Sequence, residues 1–195
     1  MTHRLYLNDD WLFTEQFEDS LMAPEYPENM LQPVRLPHTC KETPFHYFDE
    51  SLYQMVSGYR RHLLIPKDWQ GKQILLTFEG AAHDSTVFCN GKKVGEHHCG
   101  YTAFTVDLTD NVLYGQDNLL CIRLDSRENL NVPPFGYVID YMTYGGIYRD
   151  VYLQFMNPVH IATNDYASSG VYIRTPEVNN SAASVEITTL LTNDM

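Results

Sequence analysis

Positive charge is scarce in this chain. Thirteen Lys and Arg stand against 25 Asp and Glu, giving a formal net charge of −12. Such a surface repels nucleic acid phosphates and anionic membranes, so neither is an expected partner. Long apolar runs are missing too. No stretch approaches the roughly 20 residues that span a bilayer, and the start, MTHRLYLNDDW, has no apolar core of the kind a secretion signal carries. The expected address is cytoplasmic. Cysteine is sparse: Cys40, Cys89, Cys99 and Cys121 lie far apart, two of them inside strand-like runs, and all four are expected as reduced thiols. From Ser57 to Thr163 a sustained helical stripe is lacking as well, which leaves β-structure as the organising element.

What is present is a core. At 195 residues, with 44% apolar and only 19% charged residues, the chain can bury one well-packed domain and part of a second. Apolar residues alternate along short segments separated by turn signals. Leu5, Leu7, Trp11 and Phe13 recur at two-residue intervals around the turn cluster Asn8-Asp9-Asp10, which predicts an early hairpin. Residues 15–33 hold three prolines and little periodicity, and predict a long irregular connection. After VRLPHTC comes a loop to Glu50 that carries His38, His46 and Asp49.

The strand pattern is dense thereafter. GYRRHLLIP is followed by the turn KDWQGK, and Ile74, Leu76 and Phe78 then share one face. Asn90-Gly91 joins two strands by the strongest short hairpin signal in the chain. Phe104, Val106 and Leu108 alternate, as do Leu120, Ile122 and Leu124, and a late strand runs from Val151 to Phe155. Even spacing of this kind predicts an all-β jelly-roll sandwich over residues 1–160. Residues 161–195 carry only two strand patterns, VYIRT and SVEITTLL, too few for a core. They are expected to begin a second β-domain whose other strands follow in a longer protein.

One stretch concentrates polar chemistry: NVPPFGYVIDYMTYGGIYRDVYL, residues 131–153. Pro133-Pro134 keep its first part out of a central strand, and Gly145-Gly146 can enter backbone regions closed to other residues. Between them lies Asp140, flanked by Tyr137, Tyr141 and Tyr144. A carboxylate among aromatic rings suits a carbohydrate, whose hydroxyls need acceptors and whose C–H faces pack on rings. A loop aspartate that caps a turn accounts for Asp140 equally well. The neighbours His97 and His98 invite a metal, but adjacent strand residues point to opposite faces, so no metal or cofactor is expected. Arg149-Asp150 is read as fixing the turn.

Four separated blocks, RLPHT, GYRRHLLIPKDWQGKQILLTFEGAAHDSTVFCNGKKVGEHHCGYTAFTVDLT, DNLLCIRL and YGGIYRDVYL, resemble the N-terminal sugar-binding domain of glycoside hydrolase family 2. This family includes the β-galactosidases, β-glucuronidases and β-mannosidases, and IPKDWQGKQILLTFEG and GEHHCGYTAF look most like its β-glucuronidase branch. The resemblance implies a jelly roll (galactose-binding-domain-like) followed by an immunoglobulin-like domain and a (β/α)8 barrel that carries two catalytic glutamates. It implies retaining hydrolysis of a β-glycoside, with carboxyl groups about 5 Å apart. No catalytic residue would then lie in this chain, which alone should be inactive.

Residue by residue, Asp140 matches the aspartate that in relatives reaches from the loop before the glycine turn to bind the terminal sugar's hydroxyls. Tyr141 and Tyr144 flank it as substrate-binding candidates. Some relatives contribute a polar group from an earlier loop, roughly residues 45–50 here, where Asp49 is the candidate. The implied partners are a carbohydrate with a terminal β-linked sugar, the remaining domains of the same polypeptide, and a second copy of the chain. A stand-alone carbohydrate-binding module remains the alternative, because jelly rolls host many functions.

Overall fold

The chain is described through a computed structural model, which covers residues 4–44, 46, 49–136, 141–163 and 165–193. It folds as the expected jelly-roll sandwich. Six strands form one antiparallel sheet: β2 (Trp11–Thr14), β3 (Gln32–Val34), β4 (Val56–Leu64), β6 (Asp84–Cys89), β7 (Lys92–His98) and β9 (Asp117–Asp125), in the order β3-β2-β4-β9-β6-β7. Four more form the facing sheet: β1 (Arg4–Tyr6), β5 (Gln73–Phe78), β8 (Phe104–Asp107) and β10 (Val151–Met156), in the order β1-β10-β5-β8.

Period-two alternation builds the layer between them. Tyr59, Leu63, Val87, Leu120, Ile122 and Leu124 point inward from the larger sheet, and Ile74, Leu76, Phe78, Phe104, Val106, Val151 and Leu153 meet them from the smaller. Asn90 and Gly91, with φ of 50° and 77°, make the two-residue β6–β7 turn that their residue types favour. Leu75 and Thr77, on the opposite face of β5, are buried as well, so this strand is covered on both sides.

Two expectations change. The early hairpin does not form: β1 pairs with β10 while β2 pairs with β3 and β4, so the turn at Asn8-Asp9-Asp10 carries the chain from one sheet to the other. Asn8 explains the crossover, because its side chain donates to Asp150 and accepts from the Val151 amide, tying the corner to the far sheet. The connection over residues 15–33 is irregular as expected, yet it is not loose. Leu21 and Leu31 pack with Cys121 on the outer face of the larger sheet, joined by Phe17 and Phe88.

Arg60, fully buried on that same outer face, fastens the connection. Its guanidinium donates to Glu28 at 2.7 Å and to the carbonyls of Leu21, Ala23 and Pro24 at 2.7, 2.8 and 3.1 Å. A buried guanidinium is tolerable because these acceptors replace the water it lost.

Beyond the sandwich, β11 (Val159–Ile161) pairs with β14 (Leu191–Asn193), and β12 (Val171–Val178) pairs with β13 (Ala183–Thr189). The β12–β13 hairpin leaves Ile173, Val178, Val185 and Ile187 exposed. Among the described residues no helix is long and apolar enough to cross a membrane. All four cysteines are free thiols.

Candidate functional site

Three segments distant in sequence converge beneath the residues after position 140. Gly146 exchanges backbone hydrogen bonds with Ala82, its carbonyl accepting at 2.9 Å and its amide donating at 3.2 Å. On the other side the Cys40 amide donates to the Gly145 carbonyl and the His38 amide to that of Ile147. The glycines are there for space as much as for conformation. A Cβ on Gly145 would meet the Ser126 side chain at 2.5 Å, and one on Gly146, whose φ is 130°, would meet the His38 carbonyl at 2.3 Å. RLPHT, GAAH and YGGIY thus form one backbone cluster that fixes where the 141–146 segment emerges.

Above this base lies a cleft of about 340 Å3. Tyr101, Tyr141, Met142, Tyr144 and Tyr148 line it together with Thr39, Ala82, His83, Pro134 and Thr143. Its wall is almost wholly carbon, because several hydroxyls are engaged elsewhere. Those of Tyr101 and Tyr141 bond each other at 2.8 Å, and that of Tyr148 donates to the Gly100 carbonyl at 2.6 Å. The Tyr144 ring meets the buried Tyr53 edge-on at 5.3 Å. Burial and the Tyr141 contact push the Tyr101 hydroxyl well above its ordinary range, and burial raises those of Tyr53 and Tyr148, so these rings stay neutral near pH 7.

His83 is the polar exception. It is 2% exposed and neither ring nitrogen has a partner among the described residues. Burial lowers its pKa against the pull of the Asp125 carboxylate, leaving a neutral imidazole with one donor and one acceptor. It also borders a second, polar cavity of about 320 Å3 lined by Gln54, Asp84, Asp125, Arg127 and Glu128. Burial acts to raise the Asp125 carboxyl, but Arg127 at 2.6 Å and Arg123 at 3.2 Å outweigh it and hold the group below its usual range.

The sequence candidates fall out unevenly. Tyr141 and Tyr144 share the cleft. Asp140 and Tyr137 lie outside the described residues. Asp49 is exposed and accepts from the Ser51 amide at 2.9 Å, capping the short 3-10 turn Glu50–Tyr53; hydrogen bonding from Ser51 lowers its pKa. It is not among the cleft's lining residues. Tyr101, Tyr148 and His83 were not singled out for this site, although CGY, GGIY and GAAH all lie in the blocks that carried the resemblance. A strand-end tyrosine has no periodic signal to mark it. His97 and His98 diverge: His97 stacks on Phe104 at 4.5 Å, and His98 pairs with Asp84 at 3.0 Å. Among the described residues no three His, Cys, Asp or Glu side chains converge as a metal site.

Comparison with known proteins places this geometry. Residues 25–158 match the family described as glycosyl hydrolases family 2, sugar binding domain. A β-galactosidase of Thermoanaerobacter pseudethanolicus is 38% identical over 188 residues, 96% of this chain and 24% of that protein. A β-glucuronidase of Bacteroides fragilis is 39% identical over 140 residues, 72% of this chain and 20% of that one. Among solved structures, a Bacteroides uniformis β-glucuronidase superposes with a TM-score of 0.91 at 30% identity, covering all of this chain and 23% of its own. The chain therefore spans about a quarter of the length of the relatives it matches. With two thirds of its residues inside the family match and the same sandwich in its structural neighbours, the chain belongs to the sugar-binding domain family of glycosyl hydrolases family 2.

Proposed function

We propose that this chain is the N-terminal sugar-binding domain of a retaining β-glycoside hydrolase of β-galactosidase or β-glucuronidase type. Its catalytic glutamates would lie in a barrel within the three quarters of such enzymes that this chain does not span. The observation that carries the reading is the placement of Tyr141 and Tyr144 in one aromatic cleft, immediately after position 140, on a backbone base fixed by Gly145 and Gly146. A loop anchored in this way at its downstream end can present an acid to a neighbouring domain at a reduced ordering cost. Asp140 supplies that acid and binds the hydroxyls of the terminal sugar.

Residues 161–195 open the second, immunoglobulin-like domain in this reading. The exposed Ile173, Val178, Val185 and Ile187 support it, since a two-stranded hairpin with apolar residues in water needs further strands to cover them. The same exposure weighs against a stand-alone binding module.

The test is kinetic. In the full-length enzyme, Asp140→Ala is expected to lower kcat/KM by about 3 kcal/mol or more of transition-state stabilisation, with the domain's melting unchanged. Unchanged kinetics would remove Asp140 from the site. The 195-residue chain alone is expected not to hydrolyse nitrophenyl β-glycosides. Turnover above background, lost on substitution of a residue within it, would overturn the assignment.

A further inference from the structure

His83 lies between the tyrosine cleft and the polar cavity, and its ring nitrogens open into neither. It lines both, yet the two nitrogens are sealed from solvent and have no partner among the described residues. Two loop segments make the seal. The Gly100 amide donates to the Pro133 carbonyl at 2.6 Å, and the Tyr148 hydroxyl holds the Gly100 carbonyl at 2.6 Å. Gly100 packs so closely that a Cβ there would meet Pro134 at 2.9 Å and the His83 ring at 3.4 Å. The His83 amide is pinned to the Asp125 carbonyl at 3.1 Å, but packing alone holds the ring.

A sealed imidazole without a partner tolerates only its neutral form, because a charge deprived of water costs far more than an unmet hydrogen bond. Burial lowers the His83 pKa accordingly, against the pull of Asp125. Even the neutral ring forgoes its hydrogen bonds, so the sealed arrangement carries a standing cost. An alternative lies beside it. The polar cavity of about 320 Å3 is lined by Asp84, Asp125 and Glu128. Arg123 and Arg127 engage Asp125, and His98 engages one oxygen of Asp84, which leaves Glu128 and the second Asp84 oxygen as acceptors for a cation. On the opposite side stand the uncharged Tyr101 and Tyr148.

We propose that His83 is an acid-released latch: neutral, its ring stays sealed beneath Gly100 and Pro133; protonated, it turns to the carboxylates of the polar cavity and the seal parts. Acid thereby removes a wall of the tyrosine cleft and changes its shape. The latch involves no substrate, so it stands or falls apart from the glycosidase reading. Its sign is fixed. The sealed form keeps its full strength above the ordinary histidine value of about 6.5 and weakens below it, by about tenfold per pH unit until the sealed ring itself takes the proton.

The test is amide hydrogen exchange at about pH 7.5 and pH 5, on either side of the ordinary histidine value, each rate divided by that of an unstructured amide at the same pH. In the wild type, peptides containing Gly100 and residues 131–136 are expected to lose about tenfold in protection at the lower pH, while those of β5 and the middle of β9 lose none. His83→Phe keeps a ring and cannot titrate, so its protection should be the same at both values. Should that variant fail to fold, His83→Gln, which also cannot titrate, carries the comparison. Asp84, Asp125, Glu128 and His98 are present in every variant, so their own titration cancels.

A loss in acid that persists without His83 would belong to those neighbours and overturn the proposal. Wild-type protection that does not change with pH would overturn it as well, because the ring would then stay sealed. A loss shared equally by β5 and β9 would be acid unfolding of the whole sandwich, and the latch would fail on that result too.

Discussion

Gly146 lies against the carbonyl of His38, so near that a methyl group added there would meet that oxygen at 2.3 Å and the Thr39 α-carbon at 2.9 Å. Both contacts are backbone and cannot rotate away, and the φ of 130° is strained for any residue with a side chain. Gly146→Ala is therefore expected to cost about 3 kcal/mol of folding stability, strain and overpacking together. A lowered denaturant midpoint with unchanged slope would report it. A variant as stable as the wild type would show that residues 38–40 can move aside.

Arg60→Met should detach the 15–33 connection. The substitution fills much of the volume but leaves the carbonyls of Leu21, Ala23 and Pro24 without their charged donor. Hydrogen bonds to charged groups are each worth about 1.5–3 kcal/mol, and a loss of about 3 kcal/mol overall is expected, since water can reach part of the exposed segment. Limited proteolysis should find new cleavage sites between Glu15 and Pro33. Protection equal to wild type would mean that Leu21 and Leu31 hold the segment unaided.

The cysteines should differ in reactivity. Burial pushes the Cys89 thiol up to about 11 and Cys121 to about 12, and it raises Cys40 as well. Burial acts to raise Cys99 too, but hydrogen bonds from the Thr102 side chain and from the Tyr101 and Thr102 amides outweigh it and lower that thiol. The thiolate is the nucleophile, so iodoacetamide at mild alkaline pH should label Cys99 first, as read by peptide mass mapping. Faster labelling of Cys40, Cys89 or Cys121 in the folded chain would contradict the burial pattern.

His62 gives the chain a pH dependence of known sign. Burial lowers its pKa, but the hydrogen bonds and charges of Asp117 and Glu28 outweigh it and raise the group. A raised folded-state pKa adds stability that is full below the unfolded value of about 6.5 and is lost as pH rises through the folded value. The stability difference between wild type and His62→Gln should therefore shrink as pH rises above about 6.5, and it should be small because the group is solvent-screened. A difference that grows with pH would reverse the assignment.

The strands were legible because each faces the other sheet and alternates accordingly: Ile74, Leu76 and Phe78, or Leu120, Ile122 and Leu124, state their inner face directly. Asn90-Gly91 was legible because few other pairs adopt two successive positive φ values. The partner of the first strand was not. Leu5 to Phe13 alternates whether it folds back on itself or crosses between sheets, and only the reach of Asn8 to Asp150 decides. Arg60 read as an ordinary strand residue, since nothing local shows that carbonyls some 36 to 39 positions away will surround it. At the site, Tyr141 and Tyr144 were found by their neighbour Asp140. Tyr101 and Tyr148 join them through backbone contacts of Gly100 and Gly80 that no periodicity encodes.

Residues 4–14 stitch the sandwich along both layers, β1 on the rim of one and β2 between β3 and β4 of the other. A trimmed leader or a bulky fusion joined too tightly at that end would unpick two seams at once, exposing the flank of β10 and stranding β3.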